Sequence, residues 1–285
     1  MSVRTINNAV RRLDWNVLRD LLLVDNDNDD QPFIELCTAS VSDWNRYVRS
    51  PRQALNPKYM EWRDGRIWIV EFPGSIHGSA AGAFSASMAL AGTGIDHLSH
   101  HSDSTTDDPP PGMENELLIQ PDCSFGPYST VGGVLPPGLR RWRQYSTVKV
   151  DFGVCEGWGG LDRKSALWRR YPGVEYVVSI KLSPKLRTRE CRFEERVNGQ
   201  FPGNDDPNRA PILPIGQNTV LQFDAHRLLG LPENDDIPVG FNDPVLINVS
   251  PLIERIHQES ELLPVGGPRP RPAGGHQRRV RPGLA

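Results

Sequence analysis

Three residues in the middle of the chain have the side chains that hydrolysis of a phosphodiester requires. Asp122 follows a proline, Asp151 lies in a later apolar segment, and Lys164 belongs to the segment after that. Carboxylates hold a hard divalent cation, and a positive group can orient the attacking water and offset charge in the transition state. Oxygen ligands suit Mg²⁺ or Mn²⁺ better than zinc. The three residues therefore predict a metal-dependent hydrolytic centre if the fold brings them together.

The segments that must position these residues alternate between β-rich and helical patterns. Strands are expected over 116–125, 146–154, 175–183 and 191–201, and a helix over 157–174. Strand, helix and strand in this order predict a βαβ unit with a right-handed crossover. Neighbouring strands could then present Asp122 and Asp151 at one sheet edge, with Lys164 on the crossover helix.

The flanking segments predict further elements. Residues 59–72 have a polar turn at Arg63-Asp64-Gly65 between two alternating runs, which is typical of a β-hairpin. Small apolar residues over 74–92 predict a helix packed closely against a sheet, and apolar residues at helical spacing within 5–24 predict one amphipathic helix. Residues 221–232 and 241–258 are expected to supply a last strand and helix.

Length and composition predict one large globular domain or two small ones. The chain has 285 residues, of which 38% are hydrophobic and 24% charged. We expect an N-terminal helix and acidic turn over 1–35 and the globular domain over 36–262. Residues 263–285, rich in Pro, Gly and Arg, predict a disordered basic tail.

The cysteine spacing and the absence of long apolar runs predict an intracellular protein. The four cysteines include no CxxC pair, so reduced thiols are expected rather than a zinc site or a disulfide framework. The sequence has neither a signal peptide pattern nor a membrane-spanning run. These features predict a cytoplasmic or nuclear location and no membrane partner.

Positive charge is concentrated in the middle of the chain. The formal net charge of −3 excludes a uniformly basic nucleic-acid binder, but residues 139–196 hold 14 Lys and Arg against seven Asp and Glu. Such clustering favours contact with a phosphate backbone, although a solvated helix and hairpin surface would give the same pattern. The predicted phosphate contacts are Arg140, Arg141, Arg143, Arg169 and Arg170.

Two other patterns resemble cation sites less closely. The run DNDNDD over 25–30 has neither the glycine nor the final glutamate that a calcium loop needs. His97, His100, His101 and Asp103 lie in a polar stretch, 93–115, with no periodicity that would set their geometry. We interpret both as solvated loops.

The order of several motifs points to a known family. These are HG (77–78), IQPDCSF (119–125), VDFGVCEGW (150–158) and LDRKSALWRRYPGVEYVVSIKLS (161–183). In this order they resemble the Uma-type restriction endonuclease family of the PD-(D/E)XK nuclease superfamily. The resemblance covers roughly residues 57–185, and the spacing from Lys164 to the Glu175-Tyr176 pair is its most specific part.

The resemblance implies an α/β fold, a restriction endonuclease-like mixed β-sheet flanked by helices in a single domain. It implies a Mg²⁺- or Mn²⁺-dependent endonuclease acting on nucleic acid, with DNA preferred to RNA, and is compatible with a homodimer. Asp122 and Asp151 would bind the metal, with the Phe152 carbonyl as a further ligand, and Lys164 would be the catalytic lysine. His77 would be the histidine that opens a helix, and either Glu61 or Glu71 a further acid, Glu71 being included in the predicted catalytic set.

The sequence departs from the family pattern at the second acid. Asp151 stands where the family usually has Glu, and Gly153 leaves no lysine two residues later. A second alignment would use Lys181 as the lysine, but Ser179 would then occupy the acid position, so we prefer Asp151 with Lys164. The shorter acid keeps open an alternative function, a catalytically inactive nuclease-fold module that binds nucleic acid or protein.

Overall fold

The computed structural model describes residues 2–24, 33–92, 96–101 and 116–262. These residues form a mixed α/β structure with a six-stranded, a three-stranded and a two-stranded sheet, which confirms the predicted α/β class. The DNDNDD run and the basic tail lie outside the described residues.

The six-stranded sheet contains the predicted central strands. Its strands, in spatial order, are β4 (Leu98–His100), β5 (Cys123–Pro127), β6 (Val148–Gly153), β7 (Tyr176–Leu182), β8 (Arg189–Glu195) and β9 (Leu213–Pro214). Only β6 and β7 pair in parallel, and the other neighbours in this sheet are antiparallel. Helix α5 (Trp158–Trp168) connects the parallel pair, so the predicted βαβ unit is confirmed.

Strand β6 divides its side chains between two environments. Val148, Val150 and Phe152 enter an apolar core on one face of the sheet. Because side chains alternate along a strand, Lys149 and Asp151 lie on the opposite face, where both contact Trp168 of α5. The alternation therefore turns the predicted catalytic aspartate toward the helix that carries Lys164.

The apolar face of the sheet is covered by helices and a small second sheet. These elements are α4 (Ser75–Ala91), β10 (Val220–Phe223), α6 (Ala225–Leu229), β11 (Val245–Asn248) and α7 (Val249–Leu262). Small residues such as Ala80 let α4 approach the sheet closely, as predicted for 74–92. No helix in the described ranges has the length and apolar character needed to cross a membrane.

A three-stranded sheet and three helices form a second layer. The strands are β1 (Ile34–Thr38), β2 (Met60–Arg63) and β3 (Arg66–Ile69), and the helices are α1 (Val3–Arg11), α2 (Trp15–Leu22) and α3 (Val41–Val48). Asp64 and Gly65 have φ values of 51° and 77°, as a tight two-residue hairpin turn requires. The predicted hairpin is confirmed. The core of this layer includes Cys155, which lies two residues after the end of β6. The two layers are therefore in contact at this end of β6.

The N-terminal segment differs from its prediction. The expected single helix over 5–24 is divided, because the Asp14 carboxylate caps a second helix by accepting the N–H groups of Asn16 and Val17 at 3.0 and 3.3 Å. The apolar spacing continues through the break because both helices face the same core. The expected boundary after residue 35 falls inside β1.

The segment before β5 also differs from its prediction. The expected strand over 116–125 begins only at Cys123. Glu116 and Leu118 make hydrogen bonds to α3: Asn45 Nδ2 donates to the Glu116 carbonyl and Asn45 Oδ1 accepts the Leu118 N–H. Within the expected loop 93–115, the structure has the short strand β4.

Substitution of Gly126 should test the close approach of β5 to the chain before β6. A Cβ at Gly126 would overlap the carbonyl oxygen of Tyr145, so Gly126→Ala should lower the free energy of unfolding by about 1–3 kcal/mol. Gly82 in α4 has open space around its Cα, and Gly82→Ala should raise stability by roughly 0.5–1 kcal/mol. Urea denaturation measures both, and equal stability of the two variants would contradict the packing described here.

Candidate active site

Asp122 is held against β6 by its backbone and its side chain. Its N–H donates to the Val150 carbonyl at 3.0 Å, and its Oδ2 accepts the N–H of Phe152 at 2.7 Å. The aspartate is buried and immediately precedes β5. Phe152 thus meets Asp122 through its N–H, while the predicted role of its carbonyl in metal binding stays a prediction.

His77 lies in the first turn of α4 and faces the same aspartate. Its Nε2 is 2.8 Å from Asp122 Oδ1, although the contact lacks hydrogen-bond alignment, and Lys58 Nζ lies 3.8 Å from the same oxygen. Burial lowers the pKa of His77 to about 4, against the attraction of Glu71. At neutral pH the ring is therefore uncharged.

Asp151 is almost completely buried on the α5 side of β6. Trp168 Nε1 donates a hydrogen bond of 2.6 Å to Asp151 Oδ2, whereas Oδ1 has no hydrogen-bond partner among the described residues. Burial raises the pKa of Asp151 to about 7, and the nearby Lys164 ammonium opposes that rise. A buried carboxylate with one unpaired oxygen is poised to accept a proton or a cation.

Lys164 points from α5 into the same cluster. Its Nζ donates to Glu156 Oε2 at 2.5 Å. Burial alone would lower the pKa of the ammonium, but three carboxylates outweigh burial and raise the pKa above its ordinary value. In decreasing order of effect these are Glu156, Asp151 and Asp122. The predicted set of Asp122, Asp151 and Lys164 therefore meets at one place.

Glu156 is a member of this cluster that the sequence motifs did not identify. It lies between β6 and α5, is fully buried, and has Oε1 without a hydrogen-bond partner among the described residues. Burial raises its pKa to about 7, against the attraction of Lys164. A Cβ at Gly160 would overlap the Glu156 carboxyl group. The glycines that follow Glu156 are the sequence feature that could have indicated its burial, because residues without a Cβ allow the start of α5 to pack closely against the Glu156 side chain.

The two glutamates of the hairpin region have different partners. Glu71 accepts backbone N–H groups from the loop after β6, at 2.7 Å from Val154 and 3.0 Å from Cys155. Glu61 forms a bidentate ion pair with Arg163, at 2.5 and 2.8 Å. The Glu71 carboxylate therefore holds the loop that carries Glu156, whereas Glu61 is engaged with Arg163 of α5.

Lys181, the lysine of the second alignment, supports the same loop. Its Nζ donates to the carbonyl oxygen of Glu156 at 2.7 Å. Ser179, two residues earlier on β7, pairs with Asp151 of β6 in the sheet register. The carboxylate at this point of the sheet is therefore Asp151.

A cavity of about 360 Å³ gives Lys164 a route to the surface. It lies between the β2–β3 hairpin, the segment 117–120 and α5. Its apolar lining is formed by Met60, Trp62, Leu117, Ile119 and Leu167. The Glu61–Arg163 ion pair and Lys164 also line it, so the cavity combines an apolar wall with the edge of the charged cluster.

The predicted phosphate-contacting arginines occupy different surroundings. Arg140, Arg141 and Arg143 are exposed in the segment that leads into β6. Arg169 instead points inward, where it donates to the Pro202 carbonyl at 2.6 Å and lies 3.4 Å from Glu194. The structure therefore removes Arg169 from the predicted phosphate contacts, because its side chain is only 8% exposed.

Several arginines of residues 139–196 are paired with acids. Arg170 is exposed but forms an ion pair with Glu116 at 2.6 Å. Further pairs join Arg163 to Glu61, Arg192 to Asp162 and Arg196 to Glu175. Glu61 and Glu116 come from residues 1–138, which hold 10 Lys and Arg against 18 Asp and Glu. The count for 139–196 therefore overstates the positive charge available at the surface.

The histidines near β4 have separate partners. His100 stacks on Phe125 with 5.0 Å between ring centroids, and His101 Nδ1 lies 3.1 Å from Ser146 Oγ. Burial lowers the pKa of His101 to about 4. Asp103 lies outside the described residues. Among the residues that are described, no group of three or more His, Cys, Asp and Glu side chains is arranged to hold a metal ion.

Comparison with known proteins adds no family to this picture. No family model matches the chain, and no curated protein is similar to it. The interpretation of the site therefore rests on its geometry.

The stability of an Asp151→Asn variant should depend on pH in a defined way. The raised pKa means that the unfolded chain loses this proton from about pH 4, whereas the folded chain keeps it to about pH 7. Asp151 therefore lowers stability increasingly over that interval. Relative to wild type, the variant should be similar at pH 4.5 and more stable at pH 8, on the order of 1 kcal/mol.

His77 and His101 have lowered pKa values, which make the stability of the folded protein rise between pH 4 and 6.5. Wild type and variant both contain these histidines, so the difference in stability between the two proteins reports the effect of Asp151. Asp20→Asn, an exposed substitution on α2, serves as the control and should not change the pH profile. Chemical denaturation at several pH values measures the effect. A difference between Asp151→Asn and wild type that does not vary with pH would contradict the buried, protonated carboxyl.

Proposed function

We propose that this protein is a metal-dependent endonuclease that hydrolyses phosphodiester bonds, with DNA as the preferred substrate. The observation that carries the proposal is the meeting of Asp122, Asp151 and Lys164. Two carboxylates, one directly before β5 and one in the neighbouring strand β6, and a lysine from the following helix are the groups that such hydrolysis needs.

The order of elements supports a restriction endonuclease-like core for this function. A hairpin precedes α4 with His77 in its first turn, and the antiparallel strands β4, β5 and β6 follow. Helix α5 then supplies Lys164 and leads to the parallel strand β7. This order of a hairpin, a helix that begins next to His77 and a β6–α5–β7 unit supports the proposal.

The donor set fits a hard divalent cation. Asp122 and Asp151 would hold it, and Asp151 Oδ1, which is buried and has no hydrogen-bond partner among the described residues, is a suitable ligand atom. Mg²⁺ is commonly bound by one or two carboxylates and several waters, so a two-aspartate set is sufficient. When bound, such a cation supplies charge stabilisation to the phosphate and lowers the pKa of a water.

The protein side chains have distinct tasks in this proposal. Lys164 keeps its proton and places a positive charge where the phosphoryl oxygens would gain negative charge. Trp168 orients Asp151 through its indole N–H, and neutral His77 packs against Asp122 without competing as a cation. Glu156 holds the ammonium of Lys164 in position.

The cavity beside Lys164 suits the less polar part of a nucleotide. Its apolar wall would accept a base or sugar, and Lys164 at its edge would face the attached phosphate. The arginines proposed to contact the phosphate backbone of the nucleic acid are exposed at the surface: Arg140, Arg141, Arg143 and Arg170.

The extreme burial of the cluster favours a second candidate, the binding module without turnover. Asp151 is 1% exposed and Lys164 is already paired with Glu156. If this closed arrangement persists in solution, the chain would bind nucleic acid without cleaving it.

Metal binding should be detectable as thermal stabilisation independent of catalysis. Addition of MnCl₂ at 100 times the dissociation constant should stabilise the wild type by about 2.7 kcal/mol, and hence raise its Tm by several degrees. Asp151→Asn should lose most of this shift, and the control Asp20→Asn should keep it. Equal shifts in all three proteins would contradict a site at Asp151.

Catalysis should depend on the same residues. Supercoiled plasmid and a single-stranded oligonucleotide are incubated with each protein in Mg²⁺ or Mn²⁺. Asp122→Ala and Lys164→Met should slow nicking by about 10²–10³-fold, since each removes a group acting on the transition state. Lys185→Ala changes an exposed lysine and should have wild-type activity.

The same assay separates the two candidate functions. Nicking that persists in both variants would exclude the assigned residues. Binding by the wild type with no metal-dependent nicking would instead support the module without turnover.

A further inference from the structure

A basic pocket lies between α1 and the loop that follows α3. It has a volume of about 390 Å³ and shares no lining residue with the cavity at Lys164. Its lining residues are Val3, Arg4, Asn7, Arg11, Ser50 and Arg52. We refer to this site as the α1–α3 pocket. Half of its lining residues are arginines, and all three are exposed.

Hydrogen bonds from a buried asparagine build the α1–α3 pocket. Asn7 Nδ2 donates to the Arg52 carbonyl and Asn7 Oδ1 accepts the Ala54 N–H, each at 2.7 Å. These bonds attach the loop to α1 and hold Arg52 on the wall facing Arg4 and Arg11. The backbone of the pocket is therefore organised before any ligand arrives, which reduces the entropic cost of binding.

The arginines of the α1–α3 pocket lie in two stretches of sequence that contain no acidic residue. Residues 2–13 and 48–58 together contain five arginines and one lysine but neither Asp nor Glu. In the part of the chain that the structure describes, no carboxylate forms an ion pair with Arg4, Arg11 or Arg52. This differs from residues 139–196, where several arginines are paired.

The position of Arg4 also favours an anionic ligand. Arg4 lies in the first turn of α1, where the helix dipole is positive and an acidic residue would be stabilising. The first turn of α1 has no acid. Its potential therefore adds to that of the guanidinium groups, and a bound anion would relieve the repulsion.

We propose that the α1–α3 pocket binds phosphate groups of a nucleic-acid backbone. Guanidinium groups bind phosphate oxygens in a bidentate manner, which makes arginine well suited to this ligand. Arg4 and Arg11 are two helical turns apart, about 10.5 Å along the axis of α1. A ligand that contacts both with extended side chains spans more than one phosphate, which favours a backbone over a single small anion. The inference rests on the proposed nucleic-acid substrate and adds a second contact region to it.

Salt-dependent binding tests this contact directly. A fluorescently labelled DNA duplex is titrated with the full chain in EDTA at several salt concentrations between 50 and 200 mM. The triple variant Arg4→Gln, Arg11→Gln and Arg52→Gln should bind at least tenfold more weakly at 50 mM salt. Its slope of log affinity against log salt should be smaller by about 2–3, because each lost phosphate contact removes about 0.9.

A second triple variant controls for the change in net charge. Arg19, Arg46 and Arg66 are surface arginines already paired with Asp20, Asp43 and Glu35. Their joint replacement by Gln alters the net charge by the same amount but should change the salt slope by less than about one contact. Equal losses in the two triple variants, or no loss in either, would overturn the proposal. Thermal denaturation should give similar Tm values for both, since the substituted side chains are at the surface.

Two further measurements separate this inference from the proposed function. If the wild type binds DNA through the α1–α3 pocket but never nicks plasmid, the inference stands and the endonuclease proposal fails. If nicking occurs and the first triple variant keeps full affinity, the reverse holds. Binding to vesicles containing phosphatidylserine that requires the pocket, with DNA binding unchanged, would assign the pocket to a membrane surface and overturn the inference.

Discussion

The burial of the Lys164 ammonium among three carboxylates is the interaction on which the rest of the site depends. Burying charged groups is unfavourable unless opposite charges compensate one another, and loss of one partner leaves an uncompensated charge in the protein interior. Helix α5 must therefore dock with Lys164 facing β6. One helical turn later, Trp168 lies on the same face of α5 and donates its indole N–H to Asp151. A single docking geometry thus satisfies both polar contacts.

The loop between β6 and α5, which carries Glu156, is held in place by residues of both layers. The Glu71 carboxylate, which follows β3, accepts backbone N–H groups of the loop, and Lys181 of β7 donates to one of its carbonyls. A Cβ at Gly153 would lie 2.6 Å from the Glu156 carbonyl oxygen, so the loop folds back tightly on the end of β6. Because Glu71 belongs to the hairpin region, the position of Glu156 depends on both layers of the molecule.

Charge along the chain and charge on the surface have different distributions. Central arginines such as Arg163 and Arg170 are paired with Glu61 and Glu116, which lie far away in sequence. In the N-terminal layer, α1 and the loop after α3 bring together three arginines that form no ion pair with any described carboxylate. The N-terminal layer therefore contributes a positive pocket, while several arginines of the most basic segment are engaged in ion pairs.

The sequence by itself determined the hairpin, α4, β6, α5 and β7, because turn residues and apolar periodicity act over a few neighbouring positions. It also predicted that Asp122, Asp151 and Lys164 lie close together, because the order of strands and helix brings them to the same part of the sheet; their catalytic role is a proposal. The tertiary structure alone decided that Glu156 joins them, that Arg169 turns inward and that Asn45 withdraws residues 116–118 from the sheet. Hydrogen bonds and ion pairs between residues distant in sequence set these features, and no local pattern records such contacts.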